Sequence, residues 1–501
     1  MPTVLSGSFF LHALLGPPIS SGLAGIVLKL KPMNKQFAIL LIFTTATVAP
    51  AADITTQYKA TSQQLINAAL EDTEGLARLE YLCDRIGNRV TGSVNLERAI
   101  TWAATEMKKA GLENVQTAPV KVPHWIRGTE SATLLGPVNK PLTMLGLGMS
   151  AGTKKEGITA DVVIASSFDE LTALGREKVA GKIVLFNPEW KGYGQTVTYR
   201  TSGPSKAAEL GAVAMLVRSM TGTSLQSPHT GTLQYAEGVN KIPAAAISVE
   251  DAALMARIAK GGGQVRVHLM MEARQLPDAD SHNVIGEIRG SELPNEVVVL
   301  GGHIDSWDVG QGANDDGSGI MATFQAVALI KKLGLKPRRT IRVVFWTAEE
   351  NSGAGGTAYR EMVGADVKDH VAAIEMDGGA EKPLGFGFGS GSGAGRRRAS
   401  TAAETSKAAF DRVVEIGKLL ESLDCGRITP GGGGADISPL IAGGVPGFGV
   451  ATVGAHYNDW HHTQADTFDK IVPREFQLNV AQLAVMSFVL ADMSERLDQM
   501  K

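Results

Sequence analysis

From residue 282 to the end of the chain, apolar strand-like runs alternate with segments of helical periodicity. The runs NVIGEI, EVVVLGGH, RTIRVVFWTAEE and VAAIEMDGG have the character of strands, and residues 317–333 that of a helix. Strands that are buried on both faces carry nearly continuous apolar runs, and alternating β and α elements place them in a mainly parallel sheet. We therefore predict an α/β fold in which a mainly parallel mixed sheet is sandwiched by helices.

The segment before residue 282 divides into two parts. Residues 61–78 have helical spacing, and a second helix is predicted from Leu96, Ile100, Ala103 and Met107, which fall on one face. Between about 126 and 280 the chain instead shows short β-type runs separated by Gly and Thr clusters. These runs are residues 160–164, 182–186, 212–217 and 244–249.

The 126–280 segment contains no cluster of histidines and acids, so we predict a separate, non-catalytic β-rich domain there. It would be inserted into a larger domain that comprises residues 53–125 and the catalytic part, 281–501. A length of 501 residues agrees with two domains.

Composition excludes several classes of protein. A hydrophobic fraction of 44% is that of a globular protein with a core, and a net charge of -3 gives no support for nucleic-acid binding. The basic run 396–398 lies beside GFGFGSGSGAG and is interpreted as a solvated loop. Two cysteines, Cys83 and Cys425, exclude a disulfide scaffold and leave a single bridge open.

The N-terminal region has the layout of a secretory signal peptide. From Met33 a short start with one lysine precedes an apolar stretch, 37–48, and Ala49 and Ala51 follow at the spacing of a cleavage site. The stretch is too short for a comfortable membrane span. We predict a signal at 33–52, an upstream extension at 1–32, and a mature protein without a membrane span that is secreted or periplasmic.

The stretch GGHIDSWDVGQGANDDGSG, residues 301–319, concentrates one histidine and four aspartates among six glycines. Acids this close repel one another unless a positive group lies between them. Glycine is suited to backbone that bends sharply or approaches a ligand closely. Asp and Gly also form ordinary turns, so this stretch alone leaves a solvated loop open.

Three predicted strands end just before potential ligands. The first strand is followed by His303, the second by Glu349 and Glu350, and the third by Asp377. Ligands of open α/β sheets bind at this carboxyl edge. Asp315 lies at the start of the following helix, and DWHHTQADT adds His461 and His462 far downstream.

These side chains are the donors of a metal site. Imidazole and carboxylate without cysteine suit zinc, and cobalt or manganese as substitutes. Five ligands from such a set would be more than one catalytic zinc needs, and two zinc ions that share a carboxylate fit better.

At these residues the chain resembles the co-catalytic zinc exopeptidases, the family of zinc aminopeptidases and glutamate carboxypeptidases. The resemblance covers most of the mature chain and rests on GGHID, GANDDGSG, TAEENSG, EMDGG and HHTQADT. The 126–280 segment resembles the protease-associated domain of some members. The family implies a peptide substrate and allows a homodimer, for which the sequence shows no interface.

The resemblance implies a role for each motif residue. Glu349 would be the general base, Asp305 would orient His303, and a cis peptide is expected between Asp315 and Asp316. His462 is preferred to His461 as a ligand because the family's ligand stands four residues before the acid of the motif, here Asp466. The implied ligands of two zinc ions are His303, Asp315, Glu350, Asp377 and His462.

Other residues keep two interpretations. His461 would donate to the developing oxyanion or be simply exposed. Asp436 would bind a substrate amine or cap a helix. Asp305 could be a turn residue, and Asp308 is predicted to be a turn or surface acid. Trp307 and Trp460 wall the pocket or pack in the core.

The implied activity is hydrolysis of dipeptides or short peptides by a secreted exopeptidase. The zinc ions would activate a water, and Glu349 would take its proton and pass it to the leaving amine. An aminopeptidase that reads only the free N-terminus is the alternative, since no arginine stands in a motif for carboxylate binding. A single-metal glutaminyl cyclase and a receptor-like binding protein are more distant alternatives.

Overall fold

The structure is a computed structural model that describes residues 53–389 and 406–500. The predicted signal segment, the upstream extension and the basic run 396–398 lie outside these residues. The strands are β1 (Glu113–Ile126), β2 (Glu130–Leu135), β3 (Lys140–Leu142), β4 (Met144–Gly146), β5 (Ile158–Ala165), β6 (Ile183–Phe186), β7 (Ala214–Arg218), β8 (Ala244–Ile247), β9 (Arg266–Met271), β10 (Arg274–Ile288), β11 (Leu293–His303), β12 (Arg339–Trp346), β13 (His370–Glu375), β14 (Pro383–Phe388), β15 (Arg427–Pro430) and β16 (Gly447–Thr452). The α-helices are α1 (Ile54–Glu71), α2 (Glu74–Tyr81), α3 (Val94–Lys109), α4 (Phe168–Val179), α5 (Tyr193–Thr201), α6 (Gly203–Glu209), α7 (Val249–Lys260), α8 (Ser318–Lys332), α9 (Ala354–Val363), α10 (Lys407–Gly417), α11 (Ser438–Ala442), α12 (Tyr457–Trp460) and α13 (Pro473–Asp492).

The first sheet contains eight strands in the order β1-β10-β12-β11-β13-β16-β14-β15. Its four central strands, β12, β11, β13 and β16, run parallel to one another. The β1–β10, β10–β12 and β14–β16 pairs are antiparallel. The prediction of a mixed α/β fold is therefore confirmed, with the parallel strands at the centre of the sheet.

Helices cover both faces of this sheet because successive strand side chains point to opposite sides. Val298 and Leu300 of β11 belong to the core that α1, α3, α8 and α13 complete. Val297 and Val299 pack on the other face, with side chains of α9 and α11. Because both faces of β11 are covered, consecutive residues are all apolar, and the apolar sequence of the strand is unbroken.

The predicted helices are present, with one difference at the N-terminus. The helical pattern of residues 61–78 is two helices, α1 and α2, broken at Asp72, whose carboxylate accepts a hydrogen bond from the Gly75 N–H at 2.9 Å. All four predicted contacts of α3 are buried. The last helix begins at Pro473, as predicted from the ring that fits a first helical turn.

The second sheet also has eight strands, in the order β3-β2-β9-β5-β6-β7-β8-β4, all from residues 130–271. Four of its strands, β5 to β8, are parallel, and α4 to α7 lie in the same stretch of chain. The predicted boundary at 125–126 coincides with the end of β1, whereas that at 280 falls inside β10. The segment is thus α/β in content, and its status as a separate inserted domain stays a prediction.

Cys83 and Cys425 are both buried and both free, so the disulfide that the sequence left open is absent. Among the described residues, none of the helices combines the length and the apolar composition that a membrane span requires.

Candidate active site

The predicted site residues meet at the carboxyl edge of the central parallel strands. His303 is the last residue of β11 and is paired in register with Trp346, the last residue of β12. Glu349 and Glu350 follow β12 within four residues, and Asp377 follows the end of β13 by two. Parallel strands in register end together, so three loops deliver their side chains to one place.

Asp315 lies between two groups of side chains. Its Oδ1 is 3.3 Å from His303 Nε2, which is itself 3.4 Å from Asp377 Oδ1. Its Oδ2 is 3.0 Å from His462 Nε2, which is 2.9 Å from Glu350 Oε2. The two oxygens of one carboxylate therefore face two different groups, each with a histidine and a second acid.

Several atoms of these groups are buried without a well-aligned hydrogen bond among the described residues. They include Nε2 of His303, Oδ2 of Asp315 and Oε1 of Glu350. His303, Asp315 and Asp377 have ligand atoms close enough together to hold one metal ion, and so have Asp315, His461 and His462. Close contacts that are poorly aligned for hydrogen bonds are expected of side chains that point at a common ion.

The glycines of the 301–319 stretch make room for the carboxylate of Asp316. This carboxylate accepts hydrogen bonds from the N–H groups of His303 at 3.0 Å and Gly319 at 3.1 Å. A Cβ at Gly302 would lie 1.9 Å from Asp316 Oδ2, and one at Gly319 would lie 2.1 Å from Oδ1. The peptide between Asp315 and Asp316 is cis, as the resemblance implied.

Asp305 is fully buried and holds the loop that carries the two glutamates. Its carboxylate accepts hydrogen bonds from the main-chain N–H groups of Glu349 and Glu350, at 3.2 and 3.3 Å. Its main-chain oxygen is 3.0 Å from His303 Nδ1, whereas its carboxylate is 3.7 Å from that nitrogen. Asp305 thus contacts the imidazole through its carbonyl, and its side chain orients the two glutamates.

The two glutamates differ in exposure although they are adjacent. Glu350 is buried against His462, and Glu349 is half-buried. The turn before them contains Ala348, a non-glycine residue with a φ of 63°, and His462 has a φ of 61°. Left-handed backbone at such residues costs energy and concentrates at functional sites.

His461 and His462 both reach the site, with their rings stacked at a centroid distance of 3.6 Å. His461 Nε2 is 3.4 Å from Asp315 Oδ2, and the side chain is buried, so the interpretation of His461 as simply exposed is wrong. Asp466 fastens the same loop because its carboxylate accepts hydrogen bonds from the N–H groups of Asn314 and Asp315.

The 126–280 segment also reaches the histidines, which sequence reasoning did not foresee. The carbonyl oxygen of Thr230 is 3.3 Å from His462 Nδ1, and the Thr230 N–H donates to the His462 carbonyl at 3.0 Å. Arg200 Nη1 also lies 3.3 Å from His462 Nδ1, and the ring of Tyr193 stands edge-on to His461. The segment that the sequence predicts to be a separate, non-catalytic domain therefore contacts both histidines of the site.

The charges of the site are strongly coupled. Burial raises the pKa of Asp305 and of Asp377 to about 6 and that of Glu350 to about 7. Burial alone would lower the pKa of His462, but the carboxylates of Glu350 and Asp315 raise it to about 10. Divalent cations among these groups would lower every one of these pKa values by favouring the deprotonated ligands.

A second pair of buried acids lies behind Asp377. Glu375 accepts a hydrogen bond from the Ile437 N–H at 2.9 Å, and its other oxygen has no hydrogen-bond partner among the described residues. Neither oxygen of Asp436 has one. The following helix, α11, has no side-chain cap, so Asp436 is not the helix cap that the sequence allowed.

The residues that flank the ligand motifs have specific partners. Asp308 is not a free surface acid, since Arg127 donates to both of its oxygens at 2.8 and 2.6 Å. Trp307 is buried in the core of the second sheet, and its ring also stands 5.9 Å from that of His462. Trp460 is half-buried and stacks on His456.

Sequence reasoning missed several contributors to the site. Arg89, Tyr457 and Thr230 stand in no motif that a spacing argument could assign, and Glu375, the first residue of EMDGG, was given no role. The ring of Tyr457 is 4.9 Å from that of His461, and burial together with nearby Asp315 and Asp377 raises the pKa of its hydroxyl well above the usual value. Asp316, in contrast, had a visible signal in the sequence, because it stands directly beside Asp315 in the same motif.

Comparison with known proteins identifies the family. Residues 283–486 match the model of peptidase family M28. Carboxypeptidase Q of Homo sapiens is 42% identical over 420 residues, which are 84% of this chain and 86% of that protein. Carboxypeptidase Q of Bos taurus is 43% identical over the same length. The chain belongs to peptidase family M28.

Solved structures of M28 peptidases and related enzymes share the fold. A peptidase M28 precursor from Shewanella amazonensis SB2B is 33% identical, with a TM-score of 0.83 over 89% of this chain and 99% of that chain. BSAP, a zinc aminopeptidase from Bacillus subtilis, has a TM-score of 0.61 at 19% identity, over 85% of this chain and 97% of that chain. The predicted resemblance to zinc exopeptidases and the prediction of a metal-dependent exopeptidase are thereby confirmed.

Proposed function

We propose that this M28 peptidase hydrolyses dipeptides or short peptides by means of two zinc ions. One ion would be held by His303, Asp315 and Asp377, and the other by Asp315, Glu350 and His462. The observation that carries the proposal is the position of Asp315, whose Oδ1 faces His303 and whose Oδ2 faces His462, with His461 slightly farther away. A carboxylate that bridges two ions needs that arrangement.

The donor set and the charges fit zinc. Imidazole and carboxylate oxygen are zinc ligands, and an ion is expected where buried donors converge without hydrogen bonds. His303 Nδ1 faces the Asp305 carbonyl, which leaves its Nε2 for metal. His462 Nδ1 has the Thr230 carbonyl and Arg200 Nη1 both at 3.3 Å, and its Nε2 faces Asp315 and Glu350. Carbonyl partners of this kind fix the tautomer of a metal-binding histidine.

Zinc ions in this site would activate a water molecule and polarise the peptide carbonyl. Glu349 would act as the general base, taking a proton from the attacking water and passing it to the leaving amine. Its half-buried position and its distance of one residue from a proposed ligand support that role. Asp305 would keep Glu349 in place through the main-chain hydrogen bond.

His461 would stabilise the oxyanion that develops on the substrate carbonyl. Its position 3.4 Å from Asp315 Oδ2 and beside the half-buried Tyr457 supports this role. The same proximity would also allow His461 to serve as a ligand, since it belongs to one of the two metal-compatible groups. A donor that is preorganised where charge develops lowers the barrier most.

Asp436 would bind the free amine of the substrate, with Glu375 as its neighbour. The support is that both carboxylate oxygens of Asp436 and one of Glu375 are buried without a hydrogen-bond partner among the described residues. Carboxylates in that state are stabilised by a cationic group. Asp436→Asn is then expected to raise KM more than it lowers kcat.

The two candidate activities differ in which end of the peptide the enzyme recognises. Similarity to proteins named Carboxypeptidase Q over more than four-fifths of the chain favours a dipeptidase or carboxypeptidase. An aminopeptidase is favoured by the unpaired acids near the site, because they suit an amine. The presence of both ligand groups argues against a single-metal cyclase and against a receptor-like protein without catalysis.

Secretion of the protein is proposed from the signal-like pattern of residues 33–52.

Hydrolysis of matched dipeptides by the zinc-loaded protein would test the proposal. A dipeptide with a free carboxylate is compared with its C-terminal amide, and its N-acetyl form serves as a control for the amine. We expect the free acid to be cleaved with a kcat/KM at least about 10-fold higher, as one well-placed ionic contact gives. Equal or faster cleavage of the amide would establish the aminopeptidase instead.

Metal analysis of the same preparation tests the ion count. Two zinc ions per chain are expected. One ion per chain, or two ions with no cleavage of any of the three compounds, would overturn the proposed function.

A further inference from the structure

Arg89 is a fully buried arginine whose partners are main-chain carbonyl groups. Its guanidinium donates to the oxygens of Ile304 at 2.7 Å, Gln311 at 2.8 Å and Gly312 at 3.0 Å. It also donates to Gly87 at 3.1 Å. A buried charge persists only where its donors are satisfied, and four carbonyls do so here.

Three of these carbonyls belong to the loop of residues 304–312, which we name the ligand loop. The loop begins immediately after His303, and Asp315 follows its end by three residues. Ile304 stands at the first position of the loop and Gly312 at the last, so one planar side chain bridges both ends. A second contact reinforces this, since Ser306 Oγ accepts the Arg89 main-chain N–H at 3.0 Å.

The guanidinium also places a positive charge beneath the acids of the site. Burial lowers the pKa of Arg89, while the charges of Asp466, Asp305 and Asp316 act in the opposite direction. All three acids hold main-chain N–H groups next to proposed ligands. The buried guanidinium is therefore surrounded by the side chains that shape the ligand motifs.

We propose that Arg89 is a positioning residue for the metal centre. It would hold the two ends of the ligand loop at a set separation and thereby set the spacing of His303 and Asp315. The inference rests on the proposed function, because it assigns Arg89 to the zinc ligands named there. Lysine cannot replace it, since a single ammonium has three donors from one point and cannot span a loop as a planar fork does.

The test is the zinc affinity of Arg89→Lys, measured by competition with a chelator of known affinity. We expect affinity to fall by about 10-fold or more, the usual effect of losing a group that orients ligands. We expect kcat to fall at least about as much, with KM within about threefold of the wild type, because substrate contacts remain. In the cobalt-loaded protein the visible absorption bands should also change, as the ligand geometry changes.

A matched control separates positioning from general stability. Arg339 is also buried and also donates to main-chain carbonyls, those of Met493 and Ser494, but it lies at the start of β12, the opposite end from the site. Arg339→Lys should lower Tm while leaving zinc affinity, kcat and the cobalt spectrum unchanged. An equal loss of zinc affinity in both variants would overturn the inference.

A milder variant covers the case in which Arg89→Lys does not fold. Ser306→Ala removes only the hydroxyl that accepts the Arg89 N–H, and a loss of zinc affinity of about threefold is expected. Wild-type affinity in this variant would then overturn the inference. Failure of the wild-type protein to bind zinc or cleave dipeptides would instead refute the proposed function, so the two failures are distinguishable.

Discussion

Asp315 directs its two carboxylate oxygens at two different histidines, and the neighbouring residue Asp316 directs its own at two main-chain N–H groups. Two adjacent aspartates thus have different tasks. One is available to metal, and the other fastens the backbone around it. The sequence contains both as an identical pair, and only their environments separate them.

Glu349 and Glu350 are a second adjacent pair with different environments, and Glu349→Gln tests the difference. Glutamine keeps the shape of the side chain but does not accept a proton, so kcat should fall by about 100-fold to 10,000-fold. Zinc content should stay at two ions per chain, because Glu349 is not among the proposed ligands. Both are measured on one preparation by metal analysis and dipeptide hydrolysis.

Glu361→Gln is the matched control, since Glu361 is exposed on α9, shortly after the same loop. It should leave kcat unchanged. Normal turnover by Glu349→Gln would exclude Glu349 as the general base, and loss of one zinc would make it a ligand instead.

At the scale of elements, the short stretch 229–231 of the 126–280 segment fixes His462 from outside the first sheet. The Thr230 carbonyl faces His462 Nδ1, and the Thr230 N–H donates to the His462 carbonyl. His229 Nε2 lies 3.0 Å from the carbonyl of Asn458. Gly231 allows the close approach. A Cβ there would lie 2.8 Å from His462 Nδ1 and 2.2 Å from Arg200 Nη1.

Gly231→Ala is therefore expected to displace His462. Zinc affinity and kcat/KM should each fall by about 10-fold or more, in line with the loss of groups that orient a ligand. Chelator competition and dipeptide hydrolysis measure the two effects.

Gly238→Ala provides the control for backbone strain alone. Gly238 also has a positive φ, 75°, but is exposed with nothing within 4 Å of an added Cβ. An alanine there carries a left-handed backbone cost of about 1 kcal/mol without a clash, so zinc affinity should not change. If both variants lose affinity equally, the contact of Gly231 with His462 does not explain the effect.

At the scale of the whole molecule, the first sheet carries different chemistry at its two ends. The carboxyl ends of β11, β12 and β13 carry the acid-rich site, while the start of β13 carries a buried histidine, His370. Tyr359 Oη is 2.9 Å from its Nε2, and the Asp366 carbonyl is 3.2 Å from its Nδ1. Burial and the nearby charge of Arg342 lower the pKa of His370 to about 4.

His370 should make the free energy of unfolding depend on pH. His370 has a pKa of about 4 in the folded protein and about 6.5 in the unfolded chain, so the folded protein binds this proton only at lower pH. The neutral side chain contributes its full stabilisation to the free energy of unfolding above pH 6.5. This stabilisation, up to about 3 kcal/mol, is lost as the pH falls from 6.5 to 4. In His370→Gln the free energy of unfolding should decline less over this range.

Urea unfolding of the metal-free protein at several pH values between 4.5 and 7 measures this slope. His456→Gln is the control, because His456 is exposed and a hydrogen bond with Asp459 raises its pKa. That variant should retain the acid-side decline. An unchanged slope in His370→Gln would show that His370 does not carry it.

The sequence alone predicted the parts of this molecule that depend on local order along the chain. Apolar strands, the helices between them, and the proposed ligands His303, Glu350 and Asp377 at or just after the strand ends are readable because a strand and its loop are continuous in sequence. Parallel strands end at one edge, so the meeting of those three loops follows from the fold class. The motifs in those loops also carried the resemblance that implied a metal-dependent exopeptidase.

Only the tertiary structure decided which distant groups surround those ligands. Arg89 is more than two hundred residues from the loop it holds, and Thr230 is likewise far from His462. The carbonyl oxygens that these groups use or supply are present in every residue, so they leave no pattern in the sequence. Side chains that act through the main chain are selected by three-dimensional packing, and packing between distant segments is what a linear pattern does not contain.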